Sequence, residues 1–122
     1  MNPELFLVIP SSSIRDCMEL IDLNKNGIVF IANDIKKGTI VGVATDGDIR
    51  DALLNNASLD DAIENHYNKD FIWFDMKTSR EEILKNLDNN IKVIPILRDD
   101  KTLFDIASKE HLPLQNEQKI YA

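Results

Sequence analysis

The sequence predicts a mixed α/β (α+β) fold of two β-α-β-β-α repeats, packed about a pseudo-two-fold axis. Short apolar runs alternate with stretches in which apolar residues recur every three or four positions, a pattern typical of strands alternating with helices. Residues 12–22 also resemble residues 78–88 in both their polar and their apolar positions. Each repeat is near the size at which an isolated core is marginal, so we expect the two halves to pack together.

The first repeat is assigned to residues 1–57 and contains three predicted strands and two predicted helices. Apolar runs predict the strands, the first buried on both faces and the other two joined as a hairpin. A serine followed three residues later by an aspartate resembles a capping box and predicts where the first helix starts. In order, we expect a strand at 5–9, a helix after Ser13, strands at 27–32 and 39–45, and a helix from Asp48 to about Asn56.

The second repeat is assigned to residues 58–112, with its elements in the same order. A helix is also predicted over residues 58–67, because a serine and an aspartate again have the spacing of a cap. Pro113 prevents a long helix at the end, so the second repeat is expected to lack a full closing helix. Residues 113–122 are interpreted as a C-terminal tail or linker. We expect strands at 71–74, 92–97 and 102–107, and a helix after Ser79, which would form a capping box with Glu82.

Composition and charge exclude several classes of protein. The 122 residues are 43% hydrophobic and 29% charged, which is typical of a globular domain. A net charge of −7 disfavours a nucleic-acid partner. The single cysteine, Cys17, excludes an internal disulfide and fits a reducing compartment. The apolar run near the start is too short for a signal peptide or a membrane span, so we expect a cytoplasmic location and no membrane partner.

The most informative stretch is VGVATDGDIRDALL, at residues 41–54, where an apolar strand leads through a polar turn into a helix. This order places the Thr45 hydroxyl at the end of the strand and the Asp48 carboxylate in the first helical turn. Backbone N–H groups in that turn have no intrahelical acceptor. Such amides and the helix dipole attract anions, while a carboxylate accepts hydrogen bonds from sugar hydroxyls. The stretch therefore predicts a site for a phosphate-bearing ligand.

The same residues also fit structural interpretations. Thr45 and Asp48 match ordinary helix caps, and Asp46 with Asp48 matches a D-x-D metal pair. The absence of further ligands nearby in sequence argues against the metal pair. No Ser/His/Asp set, metal cluster or Gly-rich phosphate loop appears, so we expect no catalytic residue, metal or catalytic cofactor. Structural or surface roles are favoured for His66, His111, Cys17, Trp73 and Arg80.

These features resemble a tandem pair of cystathionine β-synthase (CBS) domains, also called a Bateman module. The resemblance rests on the helix start at residues 12–17, the hairpin, and GVATDGDIR, which looks like the family's G-h-h-T-x-x-D-h-R (h, hydrophobic). The second copy matches in TSREEIL and VIPIL. It departs where Ala107 stands against Thr45 and Glu110 stands against Asp48. One intact nucleotide site and one doubtful site are therefore expected.

The resemblance implies that an adenosine nucleotide, such as AMP, ADP or ATP, binds as a regulatory ligand in the cleft between the halves. The aspartate would accept from both ribose hydroxyls, the threonine hydroxyl would donate to the α-phosphate, and backbone groups before and in the second strand would read the base. An arginine two residues past the aspartate is the nearest cation. The ligand-binding residues implied in this way are Thr45, Asp48, Gly27, Ile28, Val29 and Arg50.

The resemblance further implies a homodimer and an enzyme domain that is covalently attached or a separate partner. TDGDIRDALL and the polar tail look like the CBS pair that precedes a sugar-phosphate nucleotidyltransferase domain. Two alternatives remain open. One is a ligand-free dimerisation module with vestigial sites, and the other is a metal-dependent enzyme that uses the Asp46/Asp48 pair.

Overall fold

A computed structural model describes residues 2–34 and 36–113 of the chain. These residues form six strands and three α-helices, which confirms the mixed α+β fold of two repeats. The predicted tail lies outside the described residues from 114 onward. The elements are β1 (Leu7–Val8), α1 (Ile14–Asn24), β2 (Ile28–Ala32), β3 (Ile40–Thr45), α2 (Asp46–Leu54), β4 (Phe74–Asp75), α3 (Arg80–Asn86), β5 (Val93–Leu97) and β6 (Leu103–Ser108).

Each repeat forms a three-stranded sheet with the same topology. Strand β2 runs parallel to β1 and antiparallel to β3, with Ile28 opposite Thr45. Strand β5 likewise runs parallel to β4 and antiparallel to β6, with Val93 opposite Ser108. Both predicted hairpins are confirmed. The central strands are almost wholly apolar and buried, as expected for strands that are covered on both faces.

The chain divides into two compact units, Asn2–Phe71 and the part from Ile72 onward, each with its own apolar core. This division lies beyond the predicted repeat boundary at 57/58, because Ile63 is fully buried in the core of the first unit. The repeat boundaries themselves stay a prediction. The first core includes Ile14, Cys17, Ile21, Val29, Ala44 and Ile49, and the second includes Ile83, Ile94, Ile96 and Ala107.

Cys17 is completely buried on the inner face of α1. Removal from water raises the pKa of its thiol from 9.0 to about 12. Because the thiolate is the reactive form, the side chain behaves as a small apolar core residue.

The helix predicted over residues 58–67 is wrong, since only Ile63–Asn65 forms a single 3₁₀ turn there. The carbonyls of Leu59 and Asp61 accept hydrogen bonds from the Arg15 and Ile14 amides, both at 2.9 Å. These amides belong to the first turn of α1, where no intrahelical acceptor exists. The carbonyls of this segment therefore cap α1 and do not continue a helix of their own, a long-range requirement that local spacing does not reveal.

Gly42 allows the chain after the 3₁₀ turn to cross β3. Val43 and Asn68 exchange two backbone hydrogen bonds of 2.9 and 2.8 Å, and Tyr67 lies against Gly42. A Cβ atom added to Gly42 would lie 2.6 Å from the Asn68 carbonyl oxygen and would collide with the Tyr67 ring. Only glycine permits this close approach of two backbone segments.

We expect Gly42→Ala to lower the free energy of unfolding by about 1–3 kcal/mol, the usual cost of overpacking. Urea unfolding followed by far-ultraviolet circular dichroism measures the change. Gly47→Ala is the control, because a Cβ atom there would lie an ordinary 3.7 Å from Thr45 Oγ1. Equal urea midpoints for the two variants would show that the packing of Tyr67 and Asn68 against β3 does not depend on Gly42.

Candidate functional site

The strand β3 passes directly into α2 through a reciprocal capping box. Thr45 is both the last residue of the strand and the N-cap of the helix. Its Oγ1 accepts from the Asp48 amide at 3.1 Å, and Asp48 Oδ2 accepts from the Thr45 amide at 3.0 Å. The two residues that the sequence singles out therefore contact each other at the predicted junction of strand and helix.

The capping box leaves part of each side chain available to a ligand. Thr45 Oγ1 acts as an acceptor in the box, so its hydroxyl proton remains free to donate. Asp48 uses Oδ2 in the box and retains Oδ1 as an acceptor. Both residues are half-buried. The junction can therefore donate one hydrogen bond and accept others, as binding a sugar hydroxyl and a phosphate requires.

The backbone amides of the first turn are less available than the sequence predicts. The Asp46 amide donates to the Gly27 carbonyl at 3.0 Å, and the Asp48 amide is held by Thr45. Two of the three amides at the start of α2 thus have acceptors already. The expected attraction for an anion is correspondingly weaker, because it depends on free N–H groups.

Asn24 fixes the turn that leads from α1 into β2. Its buried Nδ2 donates to the Leu5 carbonyl at 2.9 Å and to the Ile28 carbonyl at 3.0 Å. Its Oδ1 accepts from the Asn26 amide at 2.8 Å. Gly27 follows with a φ of 72°, a conformation that glycine adopts without strain. This network sets the position of Gly27 and Ile28 relative to the start of α2.

The structure brings some of the expected binding residues together and separates others. The Gly27 carbonyl accepts a hydrogen bond from the amide of Asp46, the first residue of α2, and Ile28 lies opposite Thr45 in the sheet. Both residues therefore adjoin the capping box. The Val29 side chain is fully buried, which leaves only its backbone for any ligand contact. Arg50 is exposed and forms no ion pair with the residues that the structure describes. Their binding roles stay predictions.

The strand register corrects the alignment of the second repeat with the first. Ser108 lies opposite Val93, just as Thr45 lies opposite Ile28. The counterpart of Thr45 is therefore Ser108 and not Ala107. By the same count His111, not Glu110, stands in the place of Asp48. The alignment of the second repeat with the first that the sequence predicts is therefore displaced by one residue at β6. The antiparallel strand register shows this displacement.

The second junction keeps a hydroxyl group but not the start of a helix. Ser108 and His111 exchange backbone hydrogen bonds of 2.7 and 3.2 Å, which close a tight turn. The His111 ring then lies 3.0 Å from a carboxylate oxygen of Asp105. Ser108 Oγ is buried and has no hydrogen-bond partner among the described residues. Within the described residues, which end at 113, no helix follows β6. The expected incomplete end of the second repeat stays a prediction.

Other classes of site gain no support within residues 2–34 and 36–113. These ranges contain no group of three or more His, Cys, Asp or Glu side chains arranged to hold a metal ion. No helix in them has the length and apolar character needed to cross a membrane.

Comparison with known proteins identifies the class to which this fold belongs. The family model described as CBS domain matches residues 1–55. The protein MJ1225 from Methanocaldococcus jannaschii, a putative archaeal homolog of g-AMPK, superposes with a TM-score of 0.70 at 19% identity over 84% of this chain and 42% of its own. CBSX2, solved in complex with AMP, superposes with a TM-score of 0.70 at 21% identity over 85% and 81%.

A third structure, the CBS domain pair of MJ0100, was solved with 5′-methylthioadenosine and S-adenosyl-L-methionine. It superposes with a TM-score of 0.68 at 18% identity, covering 95% of this chain and 86% of its own. No curated protein matches the sequence significantly. The chain thus has the fold of a tandem CBS domain pair. The part of the chain that the CBS domain model matches, residues 1–55, contains the intact motif.

The two reciprocal capping boxes permit a matched test of what Asp48 does for stability. Ser13 and Asp16 form the same box at the start of α1, with distances of 3.0 and 3.1 Å. We expect Asp48→Ala and Asp16→Ala each to lower the free energy of unfolding by about 1 kcal/mol. Asp48→Asn keeps an oxygen acceptor and is expected to cost less than half as much. Urea unfolding of the three variants checks this, and an unchanged stability in Asp48→Ala alone would contradict it.

Proposed function

We propose that the chain is a regulatory module that binds an adenosine nucleotide or a related adenosine derivative at the junction of β3 and α2. The observation that carries the proposal is the capping box, which holds Thr45 and Asp48 together while leaving a hydroxyl proton and a carboxylate oxygen free. The CBS family match includes both residues. Proteins of the same fold that bind AMP or S-adenosyl-L-methionine add support for this class of ligand.

Each binding role follows from an atom that the junction leaves available. Asp48 Oδ1 accepts from the ribose hydroxyls, and the Thr45 hydroxyl donates to the first phosphate. Backbone groups of Gly27, Ile28 and Val29 contact the base beside the capping box. Arg50 is the cation nearest to the motif in the sequence, and its exposed side chain makes its contribution the weakest of the set.

Ligand binding would regulate by favouring one arrangement of the module over another. A ligand shifts such an equilibrium only by its difference in affinity for the two states. We propose that the module has no catalytic activity of its own, forms a homodimer in the cytoplasm, and controls an attached or partner enzyme. The chain spans less than half the length of MJ1225. A sugar-phosphate nucleotidyltransferase is the partner that the resemblance of TDGDIRDALL implies.

A ligand-free dimerisation module is the second candidate function. One observation favours it: Ser13 and Asp16 form an equivalent capping box on α1, where no ligand is expected. A capping box can therefore exist for the helix alone. The two candidates differ in whether any nucleotide binds.

Isothermal titration calorimetry with adenosine, AMP, ADP, ATP, CMP and GMP separates these functions. We expect heat with adenosine compounds, and at least a roughly tenfold loss of affinity in Asp48→Asn because hydrogen bonds to a charged group are lost. Asp16→Asn is the matched control and should bind as the unmodified chain does. No heat with any compound would leave dimerisation as the function. An equal loss in both variants would show that Asp48 acts only through the fold.

A further inference from the structure

We infer that the junction of β3 and α2 selects adenosine ligands of low negative charge and discriminates against ADP and ATP. The inference rests on the proposed function and concerns its ligand class. Three features lead to it: the concentration of negative charge in the first unit, the position of two of its carboxylates at the start of α2, and the bonding of the first-turn amides.

The net negative charge of the chain is concentrated in the unit that carries the motif. Residues 2–71 contain twelve of the 21 acidic side chains and six of the 14 basic ones, a net charge of −6 out of −7. The remainder of the chain holds nine acidic and eight basic side chains and is nearly neutral. A polyphosphate that approaches the first unit is therefore repelled at long range.

Two carboxylates lie in the first turn of α2, where a phosphate would have to bind. Asp46 is exposed, and Asp48 is half-buried in the capping box. One carboxylate oxygen of Asp46 lies 3.5 Å from the position that a Cβ atom of Gly27 would occupy, so its charge lies beside the loop expected to contact the ligand. Charges within one helical turn are closer than the screening length of about 10 Å at 0.1 M salt.

Two of the six basic side chains of the first unit are already paired with carboxylates elsewhere in the unit. Lys25, at the end of α1, lies 3.6 Å from Asp22 in an exposed ion pair. Arg15 similarly lies 3.5 Å from Asp60. Arg50 is the basic residue of α2, and it is exposed.

The helix start also provides fewer amide donors than an anion site normally does. The Asp46 amide is bonded to Gly27 and the Asp48 amide to Thr45, which leaves Gly47 as the remaining first-turn donor. A ribose needs only the free oxygen of Asp48, whereas each further phosphate needs additional donors or cations. The same junction can therefore bind a nucleoside well and a triphosphate poorly.

Calorimetric titration with adenosine, AMP, ADP and ATP in 50 mM salt, without magnesium, tests the inference. We expect adenosine or AMP to bind at least about tenfold more tightly than ATP, since each added phosphate charge meets nearby carboxylates. Raising the salt concentration to 0.5 M should narrow that ratio. Equal affinities for adenosine and ATP in 50 mM salt would overturn the inference.

A pair of charge variants locates the cause of the selectivity. Asp46→Asn removes one charge beside Gly27 and should raise the affinity for ATP several-fold while leaving that for adenosine unchanged. Asp34→Asn is the control, because it removes the same charge at the opposite end of the β2–β3 hairpin and retains the oxygen that accepts from the Lys37 amide. Equal changes in ATP affinity in the two variants would contradict the explanation that the charge of Asp46 acts locally.

Failure of this inference is distinguishable from failure of the proposed function. If adenosine binds, Asp48→Asn weakens adenosine binding, and ATP binds as tightly as adenosine, only the inferred selectivity is wrong. If none of the four compounds binds, the proposed function itself is wrong.

Discussion

The reciprocal hydrogen bonds between Thr45 and Asp48 are the constraint on which the first unit depends. They end β3 and begin α2 at the same residue, so the helix starts without an intervening loop. The adjoining Asp46 amide donates to Gly27, which joins the start of β2 to the same point. The capping box and this backbone hydrogen bond together bring the hairpin, α2 and the turn before β2 to one point.

Two pairs of positions correspond between the repeats, Ser13 with Ser79 and Thr45 with Ser108. Their differences show why a helix cap alone does not define a binding site. Ser13 begins α1 with a complete capping box, whereas Ser79 begins α3 with an accepting side chain alone. Ser108 begins no helix, because its backbone is bonded to His111. Only the Thr45 junction combines a complete box with the CBS motif and a glycine turn bonded to it. This combination supports a ligand role there.

Much of the fold could be predicted from the sequence because its signals are local. Apolar runs predict both hairpins. The spacing of capping residues predicts that α1 begins after Ser13 and α3 after Ser79, as the structure shows. The exceptions depend on contacts distant in sequence. Residues 58–67 form no α-helix because carbonyls of this segment accept hydrogen bonds from the start of α1. The role of Ser108 follows from strand register, and the first-turn amides of α2 are reduced in availability by Gly27.

The central claim is that the Thr45–Asp48 capping box also binds a ligand. A titration of the ¹⁵N-labelled chain with adenosine, followed by two-dimensional NMR, tests it most directly. We expect concentration-dependent shifts of the amide signals of residues 27–28 and 45–48, while the matched box at Ser13 and Asp16 remains unchanged. Shifts of equal size at both boxes, or shifts that leave residues 45–48 unaffected, would contradict the account.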